Sequence, residues 1–375
     1  MLTRSSSCLR AFFESVTVAG VTPRQALALG VKVDAEALSR PVVDAIGRGA
    51  VDLDDPAVTR LLFEQFAVVG VVAQVEGEEL REVGITCALC HSTVDDSVAP
   101  GIGRRLDGWP NRDLDVGAIL ALAPDLSAFT ELLGVDDATV RSVFESWGPG
   151  RFDAHLNLDG KAFRPDGESA AVLIPPAYGL AGVDRATYTG WGSVPYWNAF
   201  VGNHEMHGLG TFVDPRLEDG ERFPLAEESG LARVRDRPDL LTPRLPDLHL
   251  YQLALPAPSP PEGSFDPDAA ARGADLFEGN ARCARCHVPP LYTEPGYNLH
   301  TPQEIGIDAF HAERSPTGKY RTTPLRGLWS RSRGGYYHDG RFATLGEVID
   351  HYDGLFGLQL SATERDDLVE FLLSL

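Results

Sequence analysis

Two short stretches of the sequence, Cys87–His91 (CALCH) and Cys283–His287 (CARCH), share one spacing of cysteine and histidine. In each, two cysteines lie three positions apart, so both thiols can add across the two vinyl groups of one haem. The histidine that follows directly supplies an imidazole to the iron. The sequence therefore predicts two covalent c-type haems. The residues predicted to hold them are Cys87, Cys90, His91, Cys283, Cys286 and His287.

Two other kinds of site use such cysteine pairs, namely a zinc site built from both pairs and a redox-active dithiol. A four-thiolate zinc site needs neither histidine, and a thioredoxin-like dithiol needs no second copy. With 10 histidines among 375 residues, a histidine after both pairs is also rare by chance. We therefore expect covalent haem at both motifs.

The bulk composition is that of an acidic globular protein. A chain of 375 residues is too long for one ordinary core and predicts two or three domains. The net charge of -21 argues against nucleic acid or an anionic membrane as partner, and it would favour a basic redox protein. No apolar run approaches the roughly 20 residues that span a bilayer.

The N-terminus bears on cellular location. Haem c is normally attached outside the cytoplasm, so we expect a periplasmic or otherwise extracytoplasmic protein. A clear signal peptide is not seen, because Glu14 interrupts the apolar stretch 11–21. The fifth cysteine, Cys8, lacks the aliphatic residue that a lipoprotein signal places three positions earlier. We expect the true start to lie upstream.

Composition and spacing predict four parts of the chain. These are an N-terminal helical segment (1–66), an N-terminal cytochrome c-like haem domain with long loops (67–255), a Pro-rich linker (256–263) and a C-terminal cytochrome c domain (264–375). The expected fold class is mainly α. It has two cytochrome c-like domains, each with one covalently bound haem c, with loop-rich insertions and little β.

Capping signals predict individual elements. Helices are expected to begin near Pro23, Pro56, Asp137, Pro267 and Ser361. The apolar run 67–73 predicts a buried strand, and the alternation around His155 predicts an exposed hairpin. The helix before the second motif and the helix at the end of the chain are expected to pack across each other, as in cytochrome c.

Three stretches follow the second motif in a specific order: Arg321–Gly327 (RTTPLRG), Tyr337–Leu345 (YHDGRFATL), and Glu347 with His351-Tyr352. With them, residues 265–375 resemble the di-haem cytochrome c peroxidase superfamily. The resemblance implies that the N-terminal haem does the chemistry and the C-terminal haem relays electrons. His91 would then be the proximal ligand of the reactive haem and His287 that of the relay haem.

The distal ligands are left open by the sequence. The superfamily usually supplies a methionine to the relay haem, but this chain has DHYD at 350–353, so His351 or Tyr352 is expected instead. Either residue would give a lower potential than methionine. Besides Met1, Met206 is the only methionine. Met206 or the adjacent His207 is expected near the first haem, unless Met206 only fills a core gap. His155 is a lower-ranked rival.

Other histidines receive simpler interpretations. In its His-Asp-Gly turn, His338 is expected to hydrogen-bond the backbone or a haem propionate. His249 and His300 are expected to be surface or packing residues. The aromatic residues between 188 and 197 are expected to pack against a haem face.

Three functions fit these observations. The favoured one is a peroxidase-like oxidoreductase, which uses one haem for hydrogen peroxide chemistry and the other for electron transfer with a small cytochrome or cupredoxin. It requires a distal acid, for which Asp166, Glu168 and Glu205 are candidates. The first alternative is a non-enzymatic electron-transfer di-haem cytochrome c, in which Met206 or His207 closes the first iron. The second alternative is a haem-dependent oxygenase.

Overall fold

The computed structural model describes residues 21–76, 79–294 and 298–375, and the predictions about Cys8 and the N-terminus lie outside these ranges. The chain divides into two compact units. The first contains the residues up to Ala177 together with Phe200–Pro243, and the second contains Tyr178–Ala199 and Arg244–Leu375. The predicted domain boundaries stay a prediction.

Helices make up most of the regular structure, as predicted. In the first unit they are α1 Pro23–Ala28, α2 Arg40–Gly47, α3 Pro56–Glu64, α4 Ala88–His91, α5 Val116–Ala121, α6 Ser127–Leu133, α7 Asp137–Glu145, α8 Leu156–Asp159 and α10 Pro224–Glu228. Those of the second unit are α9 Val194–Phe200, which ends at the boundary between the units, α11 Leu245–Ala254, α12 Pro267–Glu278, α13 Phe310–Glu313, α14 Leu345–Phe356 and α15 Ala362–Ser374.

The strands are short and form two-stranded ribbons. The parallel ribbon pairs β1 Val33–Asp34 with β5 Ile102–Gly103. The antiparallel ribbons pair β2 Val71–Glu76 with β3 Glu79–Ile85, β4 Ser92–Val94 with β6 Arg105–Asp107, β7 Arg151–Phe152 with β8 Val172–Leu173, and β9 Thr211–Val213 with β10 Arg233–Arg235.

Side-chain caps explain where several helices begin. Thr22, Thr344 and Ser361 each form a capping box, in which the hydroxyl accepts a backbone N–H three residues later and a Gln or Glu side chain at that position returns a bond. Asp55 and Asp266 cap α3 and α12 with their carboxylates. The predicted helix starts near Pro23, Pro56, Pro267 and Ser361 are confirmed.

The core of the first unit contains two apolar clusters. One joins α5, α6 and α7 around the fully buried Val140 and Phe144. The other joins β1, α2 and α3 around Val33 and Leu62. The buried face of α7 is the face predicted from sequence spacing.

In the second unit, α12 crosses α15 at very close range. A Cβ built on Gly273 would lie 2.0 Å from the carbonyl oxygen of Asp367, so only glycine permits this approach. The Arg272 guanidinium pairs with the buried Asp367 carboxylate at 2.6 Å beside the crossing. The predicted packing of these two helices is confirmed.

Two local predictions are wrong. The strand expected over 67–73 begins only at Val71, because Gly70 turns the chain with a φ of +75° and packs against the backbone of Leu89. The exposed hairpin around His155 is instead a buried turn leading into α8. The Asp153 carboxylate accepts the His155 backbone N–H at 3.0 Å, and His155 is only 5% exposed.

Among the described residues, no helix has both the length and the apolar character needed to cross a bilayer.

Two glycine-to-alanine substitutions test the close crossing of α12 and α15. Gly273→Ala should lower the free energy of unfolding by about 1–3 kcal/mol, because the added methyl overlaps the Asp367 backbone. Gly354→Ala in α14 is the matched control. Nothing lies within 4 Å of its Cβ position, so alanine should stabilise the helix by up to about 1 kcal/mol. Chemical denaturation measures the free energy of unfolding of both variants, and equal changes in the two would contradict the steric explanation.

Candidate functional site

The two Cys-x-x-Cys-His motifs form the same backbone turn. The His91 N–H donates to the Cys87 carbonyl at 3.0 Å, and the His287 N–H donates to the Cys283 carbonyl at 2.9 Å. The first turn is α4 and the second is a 3₁₀ turn over Cys283–Arg285. One helical turn brings residues at this spacing to the same side of the backbone.

Both motif histidines are oriented by a backbone carbonyl. His91 Nδ1–H donates to the Pro175 carbonyl at 3.0 Å, and His287 Nδ1–H donates to the Tyr292 carbonyl at 3.1 Å. Nε2 is then the nitrogen left to bind a metal, as in most metal-ligating histidines. Burial lowers the pKa of His91, and it lowers that of His287 to about 4. Both imidazoles are therefore neutral at pH 7, the form that coordinates iron.

The four motif thiols are free rather than joined in disulfides. Burial raises the pKa of Cys90 to about 12 and that of Cys283 to about 11, so both keep their S–H at neutral pH. A protonated thiol carries the hydrogen that its addition across a vinyl group requires. Thiol state, imidazole state and imidazole direction thus fit covalent haem at each motif.

His351 and Tyr352, the two candidates for the sixth ligand in the second unit, have different surroundings. His351 Nε2–H donates to the Ile305 carbonyl at 2.8 Å. The phenol of Tyr352 lies within electrostatic range of Cys283 and Cys286, and its ring lies 6.4 Å from the ring of Tyr337. Burial raises the pKa of Tyr352. The structure therefore brings Tyr352 to the second motif, whereas the imidazole nitrogen of His351 is bonded to backbone.

A histidine–carboxylate pair beside the second motif was missed from the sequence. His300 Nε2 lies 2.5 Å from the Glu294 carboxylate, and both residues cluster with Cys286. The Thr322 hydroxyl donates to the same carboxylate at 2.6 Å. Contact with Cys286 and then Glu294 raises the pKa of His300 to about 9. The expectation that His300 is an ordinary surface or packing residue was wrong, and no motif signalled the pair.

His338 lies in a stack of aromatic rings. Its ring is 5.0 Å from His311 and 5.2 Å from Tyr320, nearly parallel to both, and it is 3% exposed. The neighbouring Asp339 pairs with Arg341 at 2.7 Å. Its predicted hydrogen bond to backbone or propionate stays a prediction.

The aromatic residues near 190 form a second stack. Trp191 lies 5.1 Å from Trp197 with nearly parallel rings, and Tyr196 meets both edge-on. Trp191 is fully buried.

The loop that contains Met206 and His207 begins with a π-helical turn over Val201–Glu205. His207 has a φ of +52°, and the Gly208 N–H donates to the Gly202 carbonyl at 2.7 Å. Such turns are frequent at functional sites. Glu205 and His207 line a cavity of about 180 Å³ whose lining does not include Cys87, Cys90 or His91.

The three candidate acids differ in burial. Asp166 and Glu168 are exposed, and Asp166 pairs with Arg164. Burial raises the pKa of Glu205 to about 8, although Asn157 donates a hydrogen bond to it at 3.2 Å. Glu205 can therefore hold a proton at neutral pH.

Comparison with known proteins gives relatives of one kind over part of the chain. No family model matches. The chain is 33% identical over 122 residues to the methylamine utilization protein MauG of Methylorubrum extorquens, covering 28% of this chain and 34% of that protein. It is 28% identical over 149 residues to cytochrome-c peroxidase IdrP1 of a Pseudomonas species, and 30% identical over 151 residues to IdrP1 of Denitromonas iodatirespirans. These matches cover 28% of this chain and 39% and 40% of the two relatives.

Two solved structures show weaker likeness. One is a MauG-like protein associated with microbial copper homeostasis, with a TM-score of 0.35 and 21% identity over 59% of this chain and 80% of that one. The other is Kuenenia stuttgartiensis hydrazine synthase, with a TM-score of 0.34 and 18% identity over 57% of this chain and 76% of that one.

The curated relatives confirm the predicted resemblance to the di-haem cytochrome c peroxidase superfamily, over the segment that they match. They also support haem as the cofactor. The chain spans between about a third and two fifths of the length of these relatives.

The buried Glu205 carboxyl gives a prediction about pH. The folded protein keeps this proton up to about pH 8, whereas an unfolded chain releases it near its usual 4.5, so stability contributed by Glu205 falls as pH rises between these values. Glutamine cannot ionise. Glu205→Gln should therefore gain stability over the wild type across this window, by at most about 1.4 kcal/mol per pH unit.

Thermal unfolding at several pH values across this window measures the difference. Glu228→Gln on the exposed face of α10 is the control. An identical pH trend in both variants would show that Glu205 is not the source.

Proposed function

We propose that this chain is a di-haem c-type cytochrome that works as a peroxidase-like oxidoreductase, with one covalent haem in each compact unit. The observation that carries the proposal is the repeated motif geometry. Each histidine donates Nδ1–H to a backbone carbonyl and each motif closes the same turn. The relatives named as cytochrome-c peroxidases support an enzyme over a passive carrier.

The residues of each motif have distinct roles in this proposal. Cys87 and Cys90 attach the first haem and Cys283 and Cys286 the second, each through two thioether bonds. When bound, haem supplies an iron that exchanges electrons and can bind peroxide. The Pro175 carbonyl holds the ring of His91 in one orientation, and a hydrogen-bonded imidazole is also the more basic ligand.

Tyr352 is our candidate for the sixth ligand of the second haem. Its phenol lies within electrostatic range of both cysteines of that motif. To serve instead, His351 would have to give up its 2.8 Å bond to the Ile305 carbonyl. An anionic oxygen ligand favours ferric iron, so this haem should have a low potential.

The distal side of the first haem decides between the two leading functions. If Met206 or His207 binds that iron firmly, the protein is an electron-transfer cytochrome. If the iron is open, Glu205 is the candidate for the group that moves the peroxide proton, because it is buried and keeps its proton at neutral pH.

The expected partners follow from the same proposal. Hydrogen peroxide is the oxidant, and a small basic cytochrome or cupredoxin supplies electrons to a chain of net charge -21. The proposed location is the periplasm or another extracytoplasmic compartment, where haem c is attached.

Electron paramagnetic resonance of the purified protein, as isolated and half-reduced, with and without peroxide, tests the function. We expect a high-spin ferric signal that peroxide consumes. Two low-spin signals unchanged by peroxide in both states would mean that both irons are closed, and the protein would then be an electron carrier.

The same measurement on the variant with Cys283→Ala and Cys286→Ala separates the two haems. Mass spectrometry should find one covalent haem in this variant, and the high-spin signal should persist without electron relay. Two covalent haems in the variant would refute the proposed attachment sites.

The substitution Tyr352→Phe tests whether Tyr352 is the sixth ligand of the second haem. Removing the phenolate should raise the midpoint potential of that haem by on the order of 100 mV and change its low-spin signal. His351→Gln is the matched control from the adjacent position and should leave both nearly unchanged. The opposite pattern would assign the ligand to His351.

A further inference from the structure

The cavity of about 180 Å³ in the first unit has a mainly apolar lining. Its wall is built by α6, α7 and the segments that carry Trp147 and Phe152 on one side, and by residues 203–209 and 229–236 on the other. Concave, largely apolar spaces with a few polar groups are where proteins bind small molecules.

Aromatic rings form one wall of this cavity. Phe144 meets Phe129 at 4.8 Å and Trp147 at 5.2 Å, and Trp147 meets Phe152 at 5.3 Å, each edge to face. All four residues line the cavity. Rings arranged edge to face present both edges and faces to a further ring, so this wall suits an aromatic molecule.

The lining also contains polar side chains. Within the described part of the chain, the buried Asn157 Oδ1 and His204 Nε2 have no hydrogen-bond partner. His204 is 7% exposed, and its ring packs edge-on against Phe200 and Phe212. Each such unpaired buried atom destabilises the folded protein, and a hydrogen bond from a ligand or a water molecule would remove that penalty.

We propose that this cavity binds a small neutral aromatic molecule with one hydroxyl or amino group, that is, a ligand of the phenol class. The ring would lie against the aromatic wall, and the polar hydrogen would be donated to Asn157 Oδ1. The volume of the cavity agrees with a ligand of one ring, since apolar cavities of about 150 Å³ bind benzene. About half of the lining residues are Leu, Phe or Trp, which suits an uncharged ring.

The cavity lining includes Glu205 and His207, which the proposed function places beside the first haem, so the two proposals share part of one site. The lining contains no residue of either Cys-x-x-Cys-His motif. Binding can therefore be measured whether or not peroxide reacts.

Isothermal titration calorimetry of the haem-loaded protein tests the site with p-cresol and toluene as probes. They have nearly the same shape and differ in the hydroxyl group. We expect p-cresol to bind at one site per chain and toluene to bind about tenfold more weakly, as expected for one lost hydrogen bond. The absence of p-cresol binding would mean that the cavity holds only water, and equal binding of both probes would rule out the polar contact.

Variants locate the site. Leu133→Trp fills the cavity from the partly exposed end of α6 and should abolish p-cresol binding. Leu209→Trp, from the opposite wall, is a second blocking variant should the first misfold. Leu122→Trp is the control, since Leu122 is 63% exposed and outside the lining. Unchanged binding in a folded blocking variant would overturn the assignment.

Asn157→Leu tests the polar contact at nearly constant volume. It should weaken p-cresol binding about tenfold, to the level of toluene, and leave toluene binding unchanged. Full p-cresol affinity in this variant would show that Asn157 is not the acceptor.

Discussion

The hydrogen bond from each motif histidine to a backbone carbonyl is the constraint on which the proposed chemistry depends. An imidazole has two nitrogens, and fixing Nδ1 on Pro175 or Tyr292 leaves Nε2 as the nitrogen for the proposed iron. Burial keeps both rings neutral and thus able to coordinate. The Pro175 carbonyl is 84 residues from His91, so the first unit has to fold before His91 is correctly oriented, whereas the Tyr292 carbonyl lies only five residues from His287.

In the second unit, the packing of the helices also positions the motif. The glycine contact between α12 and α15 sets the position of the helix that leads into the motif. Around the motif, the Tyr292 carbonyl bonds to His287, and the Tyr352 phenol lies within electrostatic range of both cysteines. Glu294 and His300 add an ionisable pair beside Cys286. The site is therefore made mainly of groups that are distant in sequence.

The sequence correctly predicted features that depend on residues only a few positions apart. The caps at Thr22, Asp55 and Ser361 begin their helices as expected, because a cap depends on residues two or three positions away. The strand at 67–73 was misplaced, since the role of Gly70 depends on its contact with Leu89. The apolar alternation around His155 was read as a hairpin, although its leucines are buried in a helical turn.

Within the candidate site, the two motifs were evident because their spacing is itself the signal. The Glu294–His300 pair was not evident because no motif marks a contact between residues six positions apart, and the burial of Glu205 was not evident because it depends on residues as distant as Asn157. The sequence did not distinguish His351 from Tyr352 as candidate ligands, because the two residues are neighbours. Their different surroundings became visible only in the packing of α14.

The capping box at the start of α14 has a consequence for that choice. Thr344 and Glu347 fix the first turn of the helix, and successive residues then point about 100° apart around its axis. His351 and Tyr352 are neighbours, so a shift of the helix start by one residue would exchange an imidazole for a phenol facing the second motif. The Thr344 hydroxyl, two turns away, thus fixes the rotation of the helix, and this rotation determines which side chain faces the cysteines.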